Sequence, residues 1–232
     1  KTERVKLKVE EQVWVEDADG YSYMRASHKF DIDLSKWPQF WIDHDFEAGY
    51  VEDIVKAAIK KWPNVPHCAG WLGLDARGDW YLRDDATQAA GPFPQSRGSR
   101  VTHDKLREFI GRNYEADAQG RWFFQNGPQR VYVCLEAAPW VLGVQKLAQP
   151  DGTVHFEVRD HTGQVVASVQ SCWLDEHGRL YLGTPKGLGV VRSLDMDAAA
   201  DAIEAGLWTP EELGFATLTA RFGHVLQPKV SA

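Results

Sequence analysis

Arginine side chains collect directly before a segment with a helical pattern. Arg97 and Arg100 end a stretch, residues 83–100, that has neither helical nor strand periodicity. Irregular loops longer than about 12–15 residues in a compact domain are usually functional or disordered. Guanidinium groups and helix N-termini both bind phosphate and carboxylate. We therefore predict an anion-binding loop here, with Thr102 as the N-cap of the following helix and His103 as the acid or base of any chemistry.

These arginines also have a purely structural alternative, which is pairing with neighbouring aspartates. Acidic side chains lie on both sides of them, at Asp84, Asp85 and Asp104. Exposed ion pairs of this kind contribute about 0–1 kcal/mol and need not mark a site. The sequence leaves both interpretations open.

A second group of polar side chains lies at the predicted tip of a hairpin. Residues 122–133 contain two apolar runs around Asn126 and Gly127, which is a hairpin signal, and Pro128 lengthens the turn. Such a tip is either a solvated turn or a recognition loop. Together, the two polar regions and the nearby arginines give a candidate ligand-binding set: Arg97, Arg100, Thr102, His103, Arg121, Gln125, Asn126 and Arg130.

The densest cluster of metal-ligating residue types is Asp43, His44 and Asp45. Carboxylate and imidazole groups bind divalent metals. However, adjacent residues point in different directions, and acidic residues before a helix also cap it. We therefore predict no metal and keep this cluster as the alternative. Signatures such as GxSxG, HExxH and the P-loop are absent, so catalytic residues and cofactors stay unknown.

The three cysteines are candidates for chemistry that the sequence does not favour. Cys68, Cys134 and Cys172 are far apart and share no CxxC spacing. This spacing favours reduced thiols over a disulfide framework or a zinc site. Cys68 follows His67 and is the candidate for an activated thiol, but adjacency in sequence does not position a base.

Composition excludes several classes of function. The chain has 232 residues, of which 44% are hydrophobic and 25% charged, and its formal net charge is −7. An acidic balance without a basic run argues against nucleic-acid binding. No apolar run approaches the roughly 20 residues that cross a bilayer. We expect a cytoplasmic protein that binds neither nucleic acid nor a membrane.

The elements that must position these residues are mainly hairpins. One sequence pattern recurs at Asp75, Asp117 and Asp175, with looser copies at Asp17 and Asp160. It consists of Asp, any two residues and Gly, followed by a polar residue and then apolar residues. Asp accepts hydrogen bonds from turn N–H groups, and Gly supplies a positive φ. Each phrase therefore predicts a tight turn between strands.

Helices interrupt the hairpins. Apolar side chains spaced four apart predict a helix over residues 46–62. Capping signals predict helices over residues 102–111 and 193–206, and a capping box predicts a short helical turn over residues 209–212. We therefore predict an α+β fold with antiparallel, hairpin-rich sheets, three helices and a short fourth helical turn.

The chain length fits a single domain covering residues 1–232. A turn signal over residues 149–152 could separate two lobes, residues 1–149 and 150–232. The sequence leaves these two arrangements open.

Three phrases in the chain resemble those of a family of uncharacterised proteobacterial proteins of unknown function. They are WPQFWIDHD at residues 37–45, DWYLRD at residues 79–84 and WFFQNGPQRVYV at residues 122–133. The resemblance covers residues 35–145. It implies a bacterial, cytoplasmic protein, and it assigns no activity and no catalytic residue.

Two hypotheses of function follow. The leading one is a non-catalytic binding or interaction module that holds a protein partner through residues 83–100 and 125–130. The alternative is an enzyme or binding protein for a small anionic ligand, phosphate or carboxylate. Hairpin-rich sheets with free edges often dimerise, so a homodimer is also open.

Overall fold

The computed structural model describes residues 6–16, 22–33, 67–126, 129–150 and 152–230. The helix predicted over residues 46–62 lies outside these residues, as do Asp43, His44 and Asp45. The chain divides into two compact units, Lys1–Glu47 and Ala48–Ala232. In the part of the chain that is described, no helix is long and apolar enough to span a membrane.

The first unit contains one antiparallel hairpin. Strand β1 (Lys6–Glu16) pairs with β2 (Ser22–Asp33), and the register shifts between Glu10 and Gln12. The strands predicted on either side of residues 17–20 therefore pair as expected.

The second unit contains two six-stranded sheets. The first sheet has the strand order β5-β4-β3-β8-β7-β6. Its strands are β3 (Cys68–Leu74), β4 (Trp80–Leu82), β5 (Ser99–Arg100), β6 (Tyr114–Ala116), β7 (Trp122–Asn126) and β8 (Gln129–Leu135). The second sheet has the order β10-β9-β13-β12-β11-β14. Its strands are β9 (Trp140–Ala148), β10 (Val154–Asp160), β11 (Ser171–Leu174), β12 (Leu180–Thr184), β13 (Gly187–Val191) and β14 (Pro210–Glu212).

The two sheets share the arrangement of five of their six strands. In the first sheet β3 lies parallel to β8, with β4 paired to β3 and the β6–β7–β8 meander on the other side. In the second sheet β9 lies parallel to β13, with β10 paired to β9 and the β11–β12–β13 meander on the other side. The α+β class is confirmed, but both sheets are mixed, so the antiparallel prediction is wrong. Turn signals encode pairing between neighbours in sequence, whereas each parallel pair joins strands far apart in the chain.

Four α-helices lie in the described residues: α1 (Asp85–Ala90), α2 (Asp104–Arg112), α3 (Met196–Glu204) and α4 (Phe215–Phe222). A 3₁₀ turn over Ser193–Asp195 precedes α3. The predictions of α2 and α3 are confirmed, but His103 and not Thr102 is the N-cap of α2. The sequence missed α1 and α4. Residues 83–100 are not irregular, since they contain α1 and end in β5.

The predicted helical turn over residues 209–212 is wrong. Pro210–Glu212 forms β14, which pairs parallel to β11. Proline is acceptable at the first residue of a strand on a sheet edge, where its missing N–H breaks no ladder. Pairing with β11 thus outweighs the local capping signal.

The Asp–Gly turns are built as predicted. Asp75, Asp117, Asp160 and Asp175 each accept hydrogen bonds at one carboxylate oxygen from the backbone N–H groups two and four residues later. The glycine of each turn has a positive φ, between 72° and 88°. Strands β9 and β10, on either side of the predicted turn, pair within the second sheet, and Gln149 donates its backbone N–H to the carbonyl oxygen of Thr153 at 2.8 Å. The two predicted lobes stay a prediction.

The segment after α4 returns to the first sheet. Val225 donates its backbone N–H to the carbonyl oxygen of Gly120 at 3.0 Å, and Leu135 donates to that of Leu226 at 2.8 Å. A Cβ on Gly120 would lie 1.8 Å from the carbonyl oxygen of Gly223, so this close approach requires glycine. The two halves of the second unit are therefore joined by backbone hydrogen bonds.

We expect Asp175→Ala to lower the free energy of unfolding by about 2–4 kcal/mol. The buried carboxylate accepts from two backbone N–H groups and from the Tyr181 hydroxyl at 3.1 Å, and all three donors would lose their acceptor. Asp175→Asn is the matched control, because its amide oxygen still accepts from the turn and should lose less than half as much. Urea denaturation measures both variants. Equal losses would contradict the assigned role of the turn hydrogen bonds.

Candidate functional site

A cleft lined by arginines lies between the two sheets. Its cavity has a volume of about 620 Å³, within the range of small-molecule pockets. Five arginines line it, and we call it the arginine cleft: Arg77, Arg100, Arg107, Arg159 and Arg192. The acidic residues in its lining are Asp79 and Asp160, so positive charge is in excess.

Different elements bring these arginines to the cleft. Arg77 lies in the Asp75 turn between β3 and β4, Arg100 in the edge strand β5 and Arg107 on α2. Arg159 lies in β10, and Arg192 directly follows β13. Both sheets therefore contribute to one site.

Four of the five guanidinium groups are oriented by a nearby carboxylate. Arg100 lies 2.6 Å from Asp79, and Arg107 pairs with Asp104. The pairs in the second sheet are Arg159 with Glu157 at 2.5 Å and Arg192 with Asp195 at 2.6 Å. The carboxylate takes one nitrogen of each guanidinium and so fixes its orientation, while a guanidinium carries five N–H donors.

Arg77 differs from the other four. Its side chain is exposed and has no hydrogen bond or ion pair with any other described residue. Arg77 also lines a second cavity of about 250 Å³, together with Arg97, Glu136 and Arg179. It is therefore an uncompensated positive charge shared by two neighbouring cavities.

Glycine allows one guanidinium to lie against a strand. A Cβ on Gly143 in β9 would lie 2.5 Å from Nη2 of Arg192. Any larger residue at this position would displace the guanidinium. Gly143 thus fixes the position of Arg192 in the arginine cleft.

A buried histidine lies beneath the cleft. The ring of His161 packs against Trp80, Tyr114 and Trp140, with centroids 5.5, 5.7 and 5.6 Å away. Its Nδ1 accepts the backbone N–H of Val141 at 3.3 Å, while Nε2 is buried without a partner among the described residues. Burial lowers the pKa of His161 to about 4. The imidazole is therefore neutral near pH 7 and serves as part of an aromatic layer.

Asp160, which also lines the cleft, forms an ion pair with Lys186. Burial alone would raise its pKa, but hydrogen bonds from Lys186, Thr162 and the backbone of Gln164 outweigh it and lower the pKa overall. Lys186 Nζ lies 2.6 Å from the carboxylate. Asp160 is therefore ionised and compensates Lys186 more directly than it compensates the arginines.

The structure separates the two arginines that the sequence placed together. Arg100 lies in the arginine cleft, whereas Arg97 lines the second cavity and pairs with Asp75 at 3.1 Å and Glu136 at 3.2 Å. Gly98 lies between them with a φ of +86°. The aspartates named in the structural alternative bind elsewhere: Asp84 caps α1 and Asp104 pairs with Arg107.

The other basic candidates lie at the opposite end of the first sheet. Nη2 of Arg121 lies 2.7 Å from the carboxylate of Asp117. The guanidinium carbon of Arg121 lies over the ring of Tyr132, 4.6 Å from its centroid. Arg130 covers the ring of Phe123, 4.4 Å from its centroid. The four arginines of the candidate ligand-binding set, Arg97, Arg100, Arg121 and Arg130, therefore do not converge.

The remaining candidates have local roles. Thr102 is exposed, and Nδ1 of His103 accepts the N–H of Leu106 at 3.3 Å as a helix cap. Gln125 donates its backbone N–H to the backbone carbonyl oxygen of Asn113 at 2.9 Å. Asn126 is 1% exposed, and neither polar atom of its amide has a partner among the described residues.

Four arginines of the cleft were not among the residues predicted from the sequence: Arg77, Arg107, Arg159 and Arg192. The signal for Arg77 was present, because the Asp75 turn was recognised and Arg77 lies inside it. Arg107 lies on the predicted helix between the inward-facing Leu106 and Phe109. Nothing local, however, indicates that residues this far apart meet in space.

Metal and thiol chemistry have little support in the described residues. Among them, no three His, Cys, Asp or Glu residues come together as a metal site. The three cysteines are free, as predicted, and burial raises the pKa of the Cys68 thiol to about 12 and that of Cys172 to about 11. Burial therefore opposes formation of the thiolate that a nucleophilic role of Cys68 would require.

Comparison with known proteins identifies no activity. A family model described as "Protein of unknown function (DUF2946)" matches residues 51–229. This confirms the expected family of unknown function. No curated protein matches the chain.

Two crystal structures of DUF1285 family proteins show limited similarity. One, from Silicibacter pomeroyi DSS-3, has a TM-score of 0.42 and 12% identity over 63% of this chain and 76% of that chain. The other, from Shewanella baltica OS155, has a TM-score of 0.38 and 17% identity over 56% of this chain and 91% of that chain.

We expect the protein to lose stability on acidification because of His161. Its pKa is lower in the folded chain, about 4, than the usual 6.5, so the unfolded chain takes up the proton first. The free energy of unfolding should therefore fall by up to about 3 kcal/mol between pH 6.5 and pH 4. Urea denaturation across this range measures the slope.

His161→Phe should flatten this pH dependence, because phenylalanine keeps a ring in the aromatic layer and cannot take up a proton. His155→Phe, at an exposed position on β10, is the control and should keep the slope of the unmodified protein. An unchanged slope in His161→Phe would contradict the assignment.

Proposed function

Since this chain belongs to the family described as "Protein of unknown function (DUF2946)", we propose a function from its own geometry: it binds a small anionic ligand, phosphate or carboxylate, in the arginine cleft. The observation that carries the proposal is the convergence of five arginines from both sheets on one cavity of about 620 Å³. Guanidinium groups match the geometry of phosphate and carboxylate through two parallel hydrogen bonds.

The local charge of the cleft contrasts with that of the chain. The formal net charge is −7, yet the lining of the cleft contains five arginines and two aspartates. A concave surface of one sign concentrates its field and attracts ligands of the opposite charge. Five guanidinium groups at one place in an acidic protein support a binding role.

The carboxylate partners of the arginines do not exclude a ligand. The side chains of Arg100 and Arg192 are 55% and 38% exposed. Ion pairs this accessible to water contribute about 0–1 kcal/mol each. A ligand can therefore share or replace these contacts at a small cost, while the carboxylates keep the empty site ordered.

We favour binding over catalysis. Apart from the arginines, the titratable groups that line the cleft are Asp79, which pairs with Arg100, Asp160, which is held by Lys186, and His161, whose ring faces the aromatic layer. General acid–base catalysis needs a group with a suitable pKa within hydrogen-bond reach of the substrate. We also propose a cytoplasmic location, because three free thiols suit a reducing compartment.

Arg100→Gln and Arg159→Gln each remove one guanidinium from the arginine cleft. We expect each to raise the Kd for pyrophosphate at least about tenfold, since a hydrogen bond to a charged group contributes about 1.5–3 kcal/mol. Isothermal titration calorimetry at low ionic strength measures the Kd. Thermal unfolding should show little change in Tm, because the lost ion pairs are exposed.

Arg130→Gln is the matched control for this experiment. It removes the same charge, but its guanidinium lies over Phe123 outside the arginine cleft. Its Kd should equal that of the unmodified protein. An equal loss in Arg130→Gln, or unchanged affinity in both cleft variants, would sink the proposal.

Gly143→Ala tests the position of Arg192. The new methyl group would collide with the guanidinium, and we expect roughly fivefold weaker pyrophosphate binding, equal to about 1 kcal/mol. Gly214→Ala is the control, because its Cβ would meet Glu176 at an ordinary 3.6 Å. Tight binding by Gly143→Ala would show that Arg192 does not contact the ligand.

A further inference from the structure

The arginine cleft takes its guanidinium groups from two separate walls. Arg77, Arg100 and Arg107 come from the part of the chain that forms the first sheet. Arg159 and Arg192 come from the second sheet and the residue that follows β13. The cavity is therefore basic on both sides.

The carboxylates that pair with these arginines do not cross the cleft. Arg100 pairs with Asp79 on its own wall, and Arg159 pairs with Glu157 on the other. Among the described residues, no ion pair joins an arginine of one wall to an acid of the other. Each wall thus presents guanidinium groups that are paired only on their own side, and a ligand with acceptors at both ends can bind the donors of both walls.

The cavity is larger than one anionic group needs. A volume of about 620 Å³ suits a drug-sized molecule, whereas a phosphate ion has only five heavy atoms. One phosphate held by one wall would leave the guanidinium groups of the other wall without a ligand, each with only its own carboxylate partner. Unpaired Arg77 adds a further charge that a single small ion does not match.

We propose that the ligand of the arginine cleft is a polyanion with at least two phosphate or carboxylate groups, which bridges the two walls. This inference rests on the proposed function and narrows it. One anionic group binds the wall of Arg77, Arg100 and Arg107, and another binds the wall of Arg159 and Arg192.

The test compares four probes by calorimetry in one buffer at constant ionic strength: inorganic phosphate, pyrophosphate, tripolyphosphate and citrate. We expect tripolyphosphate or citrate to bind at least about 100-fold more tightly than inorganic phosphate, because each wall adds charge-assisted hydrogen bonds. Tight binding of tripolyphosphate alone indicates a phosphorylated ligand. Tight binding of citrate alone indicates a polycarboxylate. Either result supports the bridge.

Variants separate bridging from the general attraction of a highly charged probe. Arg100→Gln and Arg159→Gln, one on each wall, should each reduce the affinity ratio of the polyanion to phosphate at least about tenfold. Arg130→Gln changes the net charge equally and should leave the ratio unchanged.

Three results would overturn the bridge. The first is a ratio of polyanion affinity to phosphate affinity near one. The second is a ratio that falls in only one of the variants Arg100→Gln and Arg159→Gln. The third is a ratio that falls equally in Arg130→Gln. In these cases binding that depends on the cleft arginines would still support the proposed function. If none of the four probes binds, the proposed function fails as well.

Discussion

The carboxylate of Glu136 joins the two sheets, and the geometry of the second unit depends on this link. Its Oε2 accepts hydrogen bonds from Arg97 at 3.2 Å and from the backbone of Ala76 at 3.3 Å. Its Oε1 accepts from Arg179, in the turn between β11 and β12, at 3.3 Å. The Glu136 side chain is only 12% exposed, so its charge is partly shielded from water and depends on these donors. Because Glu136 directly follows β8, the chain is fixed where it passes from one sheet to the other.

The arginine cleft and the aromatic layer beneath it work together. Trp80 and Tyr114 come from the first sheet. Trp140 lies in β9 of the second sheet, and His161 lies in the turn that follows β10. Their packed rings exclude water from the space under the cleft. A region of low polarity strengthens the attraction between a guanidinium and an anion, because the surroundings screen the charges less. The same burial that keeps His161 neutral would therefore strengthen the anion binding that we propose for the cleft above it.

The parts of the fold that were predictable are those with a local physical cause. The Asp175 turn follows from a carboxylate and a glycine three residues apart, and α2 and α3 follow from apolar periodicity and capping. The parallel pairs, β3 with β8 and β9 with β13, have no local signal. At Pro210–Glu212 the capping box favoured a helical turn, but pairing with β11 makes this segment a strand. The candidate site follows the same rule: Arg100 was found beside a capping pattern, but its convergence with Arg159 depends on how the two sheets meet.

The return of residues 224–229 to the first sheet affects how the molecule unfolds. Backbone hydrogen bonds join Gly120 to Val225 and Leu135 to Leu226, and Arg121 donates to the carbonyl oxygen of Lys229 at 3.2 Å. Each of these hydrogen bonds joins residues about a hundred positions apart in the sequence. Bringing such distant residues together costs chain entropy, and the folding of the sheets must offset that cost. The first sheet thus gains part of its stability from a segment that the second sheet holds in place. These hydrogen bonds therefore couple the stability of the first sheet to a segment that follows the second sheet in the chain.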